Sequence, residues 1–273
     1  MKILIACDME GITGVTTWDH VDPAHAEYQR FRKIMTADVN AAIKGAFEGG
    51  ATEVIVADGH WNGSNILVEE IDPRVRLNSG LGTAPFSMMQ GIDESFDGVF
   101  FVGYHARAGS QAGVLDHTWS GKITNLWLND LLVGEYGLNA ALAGYFGVPV
   151  VFITGDQTVC GQATELLGAL ETAVVKRATG RFSAECLPPA VSQAAIREGA
   201  KRAALRLKQG NVPEPFIVET PVQVTIEFIA SEMADRAERL PGASRDGTRV
   251  AATLPDMREA YLAFRAMASL AAG

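Results

Sequence analysis

Four short apolar runs of the chain end in polar side chains that could bind a metal or transfer protons. Asp8 and Glu10 follow the run KILIAC, and His60 follows EVIVAD. His105 follows GVFFVGY, and Asp156 ends GVPVVFITGD. A turn explains any single polar residue after a strand. Because imidazole and carboxylate together are the ligands that zinc and similar divalent ions prefer, their joint occurrence at three successive runs favours a metal site.

The apolar runs must be strands if they are to bring these side chains together. They are short, continuous and rich in β-branched and aromatic residues, which is typical of strands covered on both faces. Helical patterns over 25–48, 136–146 and 158–170 alternate with them. We therefore predict an α/β fold with a mostly parallel sheet flanked by helices. The carboxyl ends of parallel strands share one edge, so this edge is the expected site.

Two further elements depart from this alternation. The stretch SGKITNLWLNDLLVGEYG predicts an inserted hairpin about Asn129 and Asp130, with Glu135 in its second strand. After Pro188, two helix-and-strand pairs and a final helix predict a smaller C-terminal α+β lobe. We divide the chain into a metal-binding domain, residues 1–188, and a lobe, residues 189–273, packed on it or continuous with it.

Composition narrows the class of partner and the compartment. The net charge of −9 and the pI near 5.1 argue against nucleic acid as a partner. The first apolar run is too short for a signal peptide, and glycines and a proline interrupt the longest one, so no membrane segment is predicted. Three cysteines without a CxxC pattern indicate reduced thiols in a cytoplasmic protein, with Cys7 in the core.

The remaining histidines divide into two kinds. His117, in the stretch GVLDHTWSG, is either a catalytic acid/base or a loop histidine bonded to backbone, and its residue type and position do not decide between the two. His20 and His25 precede a helix and are interpreted as surface or capping residues. Nothing in the spacing marks Glu135.

Taken together, several motifs resemble those of the zinc-dependent D-aminopeptidases of the DppA type. The resemblance covers most of the chain and is densest over residues 1–156. It rests on six stretches: DMEGITG at 8–14, ADGHWN at 57–62, PFSMMQGID at 85–93, GYHARA at 103–108, LDHTWSG at 115–121 and NDLLVGEYGLNA at 129–140.

The resemblance implies a site with two Zn²⁺ ions per chain. Asp8 would bridge the ions, Glu10 and His60 would complete one coordination shell, and His105 and Glu135 would complete the other. His117 matches the catalytic histidine of the family. The implied activity removes the N-terminal residue, D-alanine in known members, from short peptides, and the implied assembly is a homodecamer of two stacked pentamers.

The expected chemistry is hydrolysis by a water activated between the two metal ions. His117 would stabilise the tetrahedral oxyanion or protonate the leaving amine, and a carboxylate such as Asp58 or Asp116 would hold the amino group of the substrate. Two alternatives stay open from the sequence. The same ligands suit an amidase, a cyclic-amide hydrolase or an L-specific aminopeptidase, and they also suit a non-catalytic metal-binding ring scaffold.

Overall fold

A seven-stranded sheet forms the larger part of the molecule. The computed structural model describes residues 1–273, with the side chain of Leu81 excepted. In spatial order the strands are β3-β2-β1-β4-β7-β8-β9, and all neighbours are parallel except β8 and β9. In chain order they are β1 (Lys2–Cys7), β2 (Glu53–Asp58), β3 (Arg76–Asn78), β4 (Gly98–Tyr104), β7 (Val150–Asp156), β8 (Glu171–Gly180) and β9 (Ser183–Cys186).

Helices cover both faces of this sheet. Alternate residues of β1 belong to different hydrophobic clusters, because successive side chains of a strand point to opposite faces. Ile3 and Ile5 pack in the cluster of α1 (Tyr28–Glu48) and α4 (Pro189–Lys208). Leu4 and Ala6 pack in the cluster of α2 (Glu135–Tyr145) and α3 (Gln157–Leu167). This double covering explains the continuous apolar runs.

A second, five-stranded antiparallel sheet contains the predicted hairpin. Its order is β11-β12-β10-β5-β6, and β10 pairs with both β5 and β12. Two helices pack with it, α5 (Ser231–Ala237) and α6 (Met257–Ala272), and α6 also contacts α2. The strands are β5 (Ile123–Leu128), β6 (Leu131–Val133), β10 (Val222–Phe228), β11 (Ser244–Asp246) and β12 (Arg249–Leu254).

The mixed α/β fold and the turn at Asn129 and Asp130 are confirmed. The placement of Glu135 in the second hairpin strand is wrong: the strand ends at Val133, and Glu135 is the first residue of α2. The extended backbone of Gly134 separates the two elements. Residues after 188 take part in both layers: α4 packs on β7 and β8 of the first sheet, and β10 is a strand of the second. The division of the chain at residue 188 stays a prediction.

Two further sequence predictions concern the cysteines and the membrane segments. Cys7 is buried in β1, and its thiol donates to the carbonyl oxygen of Ala57 at 3.2 Å, so its core position is confirmed. All three cysteines are free. None of the helices in the described part of the chain has the length and apolar composition that a bilayer-crossing segment needs.

Candidate metal centre

Side chains from three adjacent strands meet at one edge of the parallel sheet. Asp8 and Glu10 follow β1, His60 follows β2 and His105 follows β4. Because β1 lies between β2 and β4, the three loops are neighbours. All four side chains are buried, and the shared edge predicted from the sequence is observed.

Asp8 lies at the middle of the cluster. One of its oxygens, Oδ1, is 3.3 Å from Nδ1 of His60, and the other, Oδ2, is 3.3 Å from Nε2 of His105. The backbone N–H of Met9 donates to Oδ1 at 2.8 Å and fixes the carboxylate. Each oxygen therefore faces a different imidazole, which is the arrangement that a bridging carboxylate needs.

Two glutamates complete the cluster, one on each side of Asp8. Oε2 of Glu10 is 3.1 Å from Nδ1 of His60, and Oε1 of Glu135 is 3.0 Å from Nε2 of His105. Glu135 reaches the centre from the first turn of α2, where the helix dipole favours a carboxylate. The backbone N–H of Trp119 donates to its Oε1 at 2.7 Å.

His117 lies between the two glutamates. Its Nε2 is 3.9 Å from Oε1 of Glu10 and 3.7 Å from Oε1 of Glu135. The ring stacks on His105, with centroids 3.9 Å apart and planes inclined by 9°. The indole of Trp18 packs edge-on against the His117 ring, with the two ring centroids 5.3 Å apart.

Backbone carbonyls fix the tautomers of the three histidines. In each ring, the nitrogen that faces away from the carboxylates donates to a carbonyl oxygen, so this nitrogen keeps its proton whenever the ring is neutral. The pairs are His60 Nε2 with Val21 O at 2.9 Å, His105 Nδ1 with Ala106 O at 3.0 Å, and His117 Nδ1 with Leu115 O at 2.8 Å. The other nitrogen of each neutral ring then directs a lone pair toward the centre.

The donor atoms fit a metal ion. Oε2 of Glu10 and Nε2 of His105 are buried without a hydrogen-bond partner, although buried polar atoms are nearly always paired. Ligand atoms of Asp8, Glu10 and His105 lie within 4.8 Å of one another. Three buried carboxylates also concentrate negative charge that a cation would balance. A second set within the same limit, His105, His117 and Glu135, makes His117 geometrically able to be a ligand as well.

The electrostatics follow from this concentration of carboxylates. Burial lowers the pKa of His60 and of His105, but the charges of Glu10 and Glu135 outweigh it and hold both values well above the ordinary value. Burial and the neighbouring His105 lower the pKa of His117 instead. Metal binding to His60 and His105 would therefore displace protons, while His117 is the neutral imidazole of the three.

The loop that carries Glu10 depends on close backbone contact. The N–H of Gly11 donates to the carbonyl oxygen of Gly103 at 2.8 Å, and a Cβ at Gly11 would lie 1.9 Å from the carbonyl oxygen of Tyr104. Only glycine allows this approach, so Gly11 serves packing against β4.

Lys176 is a residue that sequence reasoning missed. It is buried on β8, and its Nζ donates to three carbonyl oxygens of the loop after β1: Glu10 at 2.6 Å, Ile12 at 3.0 Å and Val15 at 2.7 Å. Burial lowers its pKa to about 8. A lysine that directly follows the apolar residues 173–175 was the available signal.

Other polar residues singled out from the sequence have structural partners. Asp156 caps α3 by accepting from the N–H groups of Thr158 and Val159, both at 2.9 Å, and it lies outside the centre. His20 is half-buried, stacks on Phe31 at 4.0 Å and accepts from the N–H of Thr16 at 3.2 Å, whereas His25 is exposed, as predicted.

Neither carboxylate suggested for the substrate amino group is open to it. Asp58 is fully buried and accepts from Asn65 and Ile66 backbone N–H groups at 2.5 and 2.8 Å. Asp116 accepts from Nε of Arg181 at 2.9 Å. Neither is among the residues that line the cleft over the centre, so the structure does not support the expectation that one of them holds the amino group.

A cleft of about 760 Å³ opens over the centre. Asp8, Glu10, His60, His117 and Glu135 line its floor, and Trp18, Trp61 and Trp119 line its sides. Other lining residues come from α6, from the loop before β5, from the segment 82–88, and from Gly59 and Arg181. A concave site of this size, with aromatic walls and a few convergent polar groups, suits a small ligand such as a short peptide.

Fold and site define an α/β protein with a buried histidine–carboxylate centre beneath a cleft. The family model described as D-aminopeptidase, Peptidase M55, matches residues 1–266, and the chain belongs to this family. It is 38% identical over 273 residues to a D-aminopeptidase of Bacillus subtilis (strain 168), covering 99% of this chain and 98% of the relative.

A solved structure is similar along the whole chain. It is the Zn-dependent D-aminopeptidase DppA from Bacillus subtilis, described as a self-compartmentalizing protease. The two share 38% identity and superpose with a TM-score of 0.96, covering 100% of this chain and 98% of the other.

Proposed function

We propose that this protein is a metal-dependent aminopeptidase that removes an N-terminal residue, preferably D-alanine, from short peptides. The observation that carries the proposal is the position of Asp8, whose two oxygens face His60 and His105 on the floor of the cleft. Family membership supports the reaction class, and the description of the solved relative supports zinc as the metal.

The residues at the centre suit two zinc ions. Asp8 would be shared, Glu10 and His60 would hold one ion, and His105 and Glu135 would hold the other, since these are the pairs separated by 3.1 and 3.0 Å. Two bound zinc ions would supply Lewis acidity, which lowers the pKa of a bound water from above 15 to about 7 and polarises the scissile carbonyl.

His117 carries the proton transfer. Its N–H on Nδ1 stays bonded to the carbonyl oxygen of Leu115, so Nε2 is the atom that faces the cleft floor. Because its pKa is lowered, the ring is neutral and accepts the proton of the attacking water at Nε2. The same Nε2–H then protonates the leaving amine.

Metal analysis combined with a stereochemical assay tests the proposed function. The purified protein is analysed for zinc, stripped with a chelator, reloaded, and assayed on D-Ala-D-Ala and L-Ala-L-Ala. We expect two zinc ions per chain and activity that is lost and restored with the metal, on the D-dipeptide only. Cleavage of the L-dipeptide would instead support an L-specific enzyme, and zinc binding without turnover on either would support a scaffold.

We further propose that the chain forms a homodecamer and works in the cytoplasm. The description of the relative as self-compartmentalizing supports an oligomer, and three free cysteines suit a reducing compartment. Short peptides are the only partners that we propose; the net charge of −9 argues against nucleic acid. Light scattering should give ten times the chain mass of 29.1 kDa, and a monomer would contradict the decamer.

A further inference from the structure

Two cations line the cleft without a carboxylate partner. Nζ of Lys122 donates to the carbonyl oxygen of Ala272 at 3.0 Å. The guanidinium of Arg265 donates to the carbonyl oxygens of Gly82, at 2.8 Å, and Ala84. Within the described residues neither forms a salt bridge, whereas Arg181, the third cation of the cleft, pairs with Asp116.

The position of Arg265 relates it to the metal centre. Its guanidinium lies 5.9 Å from the centroid of the Trp119 ring, and the backbone of Trp119 donates to Glu135 at the centre. A single residue thus separates the cation from a proposed metal ligand. An extended peptide of two or three residues is about 7–10 Å long, so a short peptide with its amino end at the centre would extend along the cleft toward this cation.

The helix α6 presents Arg265 toward the cleft together with small residues. Ala268, Ser269 and Ala272 follow at spacings of three, four and seven, which places them on the same helix face, and all of them line the cleft. Lys122 donates a hydrogen bond to Ala272, the residue at the far end of this face. In addition, Nε of Arg265 is buried without a hydrogen-bond partner.

The charges of the cleft are therefore separated. Carboxylates occupy the floor, and two unneutralised cations occupy the wall formed by α6 and the loop before β5. A cation without a carboxylate partner attracts a carboxylate, because the hydrogen bond between them is charge-assisted. A peptide whose amino end reaches the metal centre would present its other end to this wall.

We propose that Lys122 and Arg265 form a subsite for the C-terminal carboxylate of the substrate. The inference rests on the proposed aminopeptidase function and deepens it. The enzyme would recognise both ends of its substrate and prefer free dipeptides and tripeptides, since longer or C-terminally amidated peptides place no carboxylate at the wall.

Pairs of substrates that differ only in their C-terminal charge test the subsite. The zinc-loaded enzyme is assayed on D-Ala-D-Ala and on its C-terminal amide, and kcat/KM is compared. We expect the free acid to be preferred at least tenfold, with the difference in KM, and the preference to shrink as salt screens the charges. Equal kcat/KM for the two would overturn the subsite but leave the aminopeptidase; turnover of neither would contradict the proposed function itself.

Variants then locate the preference in the cleft. Lys122→Met and Arg265→Met should each reduce the ratio of kcat/KM for the acid to kcat/KM for the amide at least threefold. Arg258→Met is the matched control, because Arg258 lies on the same helix and faces Phe86 instead of the cleft. An unchanged ratio in both cleft variants, or an equal change in the control, would overturn the proposal. The Lys122 variant decides the matter if Arg265→Met does not fold.

Discussion

The two sheets differ in what they bury. Every buried Asp, Glu, His and Lys of the described side chains lies between Asp8 and Lys176, and none of them lies in a strand of the antiparallel sheet. The antiparallel sheet and α6 bury apolar side chains and the phenol of Tyr261. Burying ionised groups costs free energy unless they are paired. The comparison indicates that the parallel sheet carries the chemistry at a cost in stability. The antiparallel sheet and its helix α6 stabilise the fold and form one wall of the cleft.

Replacing Asp8, the central carboxylate, should have the largest effect on the chemistry that the parallel sheet carries. Asp8→Ala is expected to lose both zinc ions and to reduce the activity to that of the metal-free protein, because both ligand pairs face this side chain. Metal analysis and the D-Ala-D-Ala assay provide the readout. Asp156→Asn is the control, a buried strand-end carboxylate outside the centre that should retain zinc. Two zinc ions in the Asp8 variant would exclude the bridging role.

Replacing the histidine between the glutamates should remove catalysis without removing metal. His117→Ala is expected to lower kcat at least roughly a hundredfold at an unchanged zinc content, as for the loss of a general acid/base. His25→Ala, at an exposed histidine, should change neither quantity. Loss of one zinc ion from the His117 variant would assign this residue to the ligands, and unchanged kcat would remove it from the mechanism.

Lys176 connects β8 to the loop that carries Glu10, so its replacement should affect both stability and metal affinity. Lys176→Met leaves three carbonyl oxygens without their donor. We expect the free energy of unfolding to fall by about 2–3 kcal/mol. Zinc should bind roughly 10–100-fold more weakly, as after loss of other groups that hold a ligand in place. Competition with a chelator measures the affinity, and an unchanged affinity would show that the loop holds its position without the lysine.

Replacing Asp38, a buried carboxylate away from the centre, should have a smaller effect, and it should raise the free energy of unfolding instead of lowering it. Burial raises the pKa of Asp38 to about 6, so folding favours its neutral form. The wild type therefore loses stability as pH rises from about 4 through 6. Asp38→Asn should increase the free energy of unfolding by about 1–2 kcal/mol at pH 8 and have little effect near pH 4.

Urea unfolding of wild type and variant at the two pH values measures this difference. Asp130→Asn, in the exposed hairpin turn, is the control that should show no pH-dependent difference. A destabilised Asp38 variant at pH 8 would contradict the view that this buried charge is tolerated at a cost.

Part of the site was predictable because strand ends are visible in the sequence. Asp8, His60 and His105 follow apolar runs that had to be buried strands, and parallel pairing then places them at one edge. The same reasoning selected Asp156, which is a helix cap, since a carboxylate after a strand has either role. Sequence spacing alone cannot separate a cap from a ligand.

The rest depended on contacts distant in sequence. Glu135 reaches the centre only because the hairpin ends at Val133 and α2 begins two residues later, a boundary that the apolar pattern does not mark. Strand β8, ETAVVKRATG, has neither a long apolar run nor a regular alternation and was not predicted, so Lys176 was not recognised. The fold class was nevertheless correct, because four buried runs and the helices between them determine it.

Anomalous diffraction at the zinc edge from crystals of the purified protein would locate the metal ions themselves. We predict two peaks per chain on either side of the Asp8 carboxylate, one near Glu10 and His60 and the other near His105 and Glu135. A single peak, peaks away from Asp8, or no peak in protein that cleaves D-Ala-D-Ala would contradict a two-metal centre.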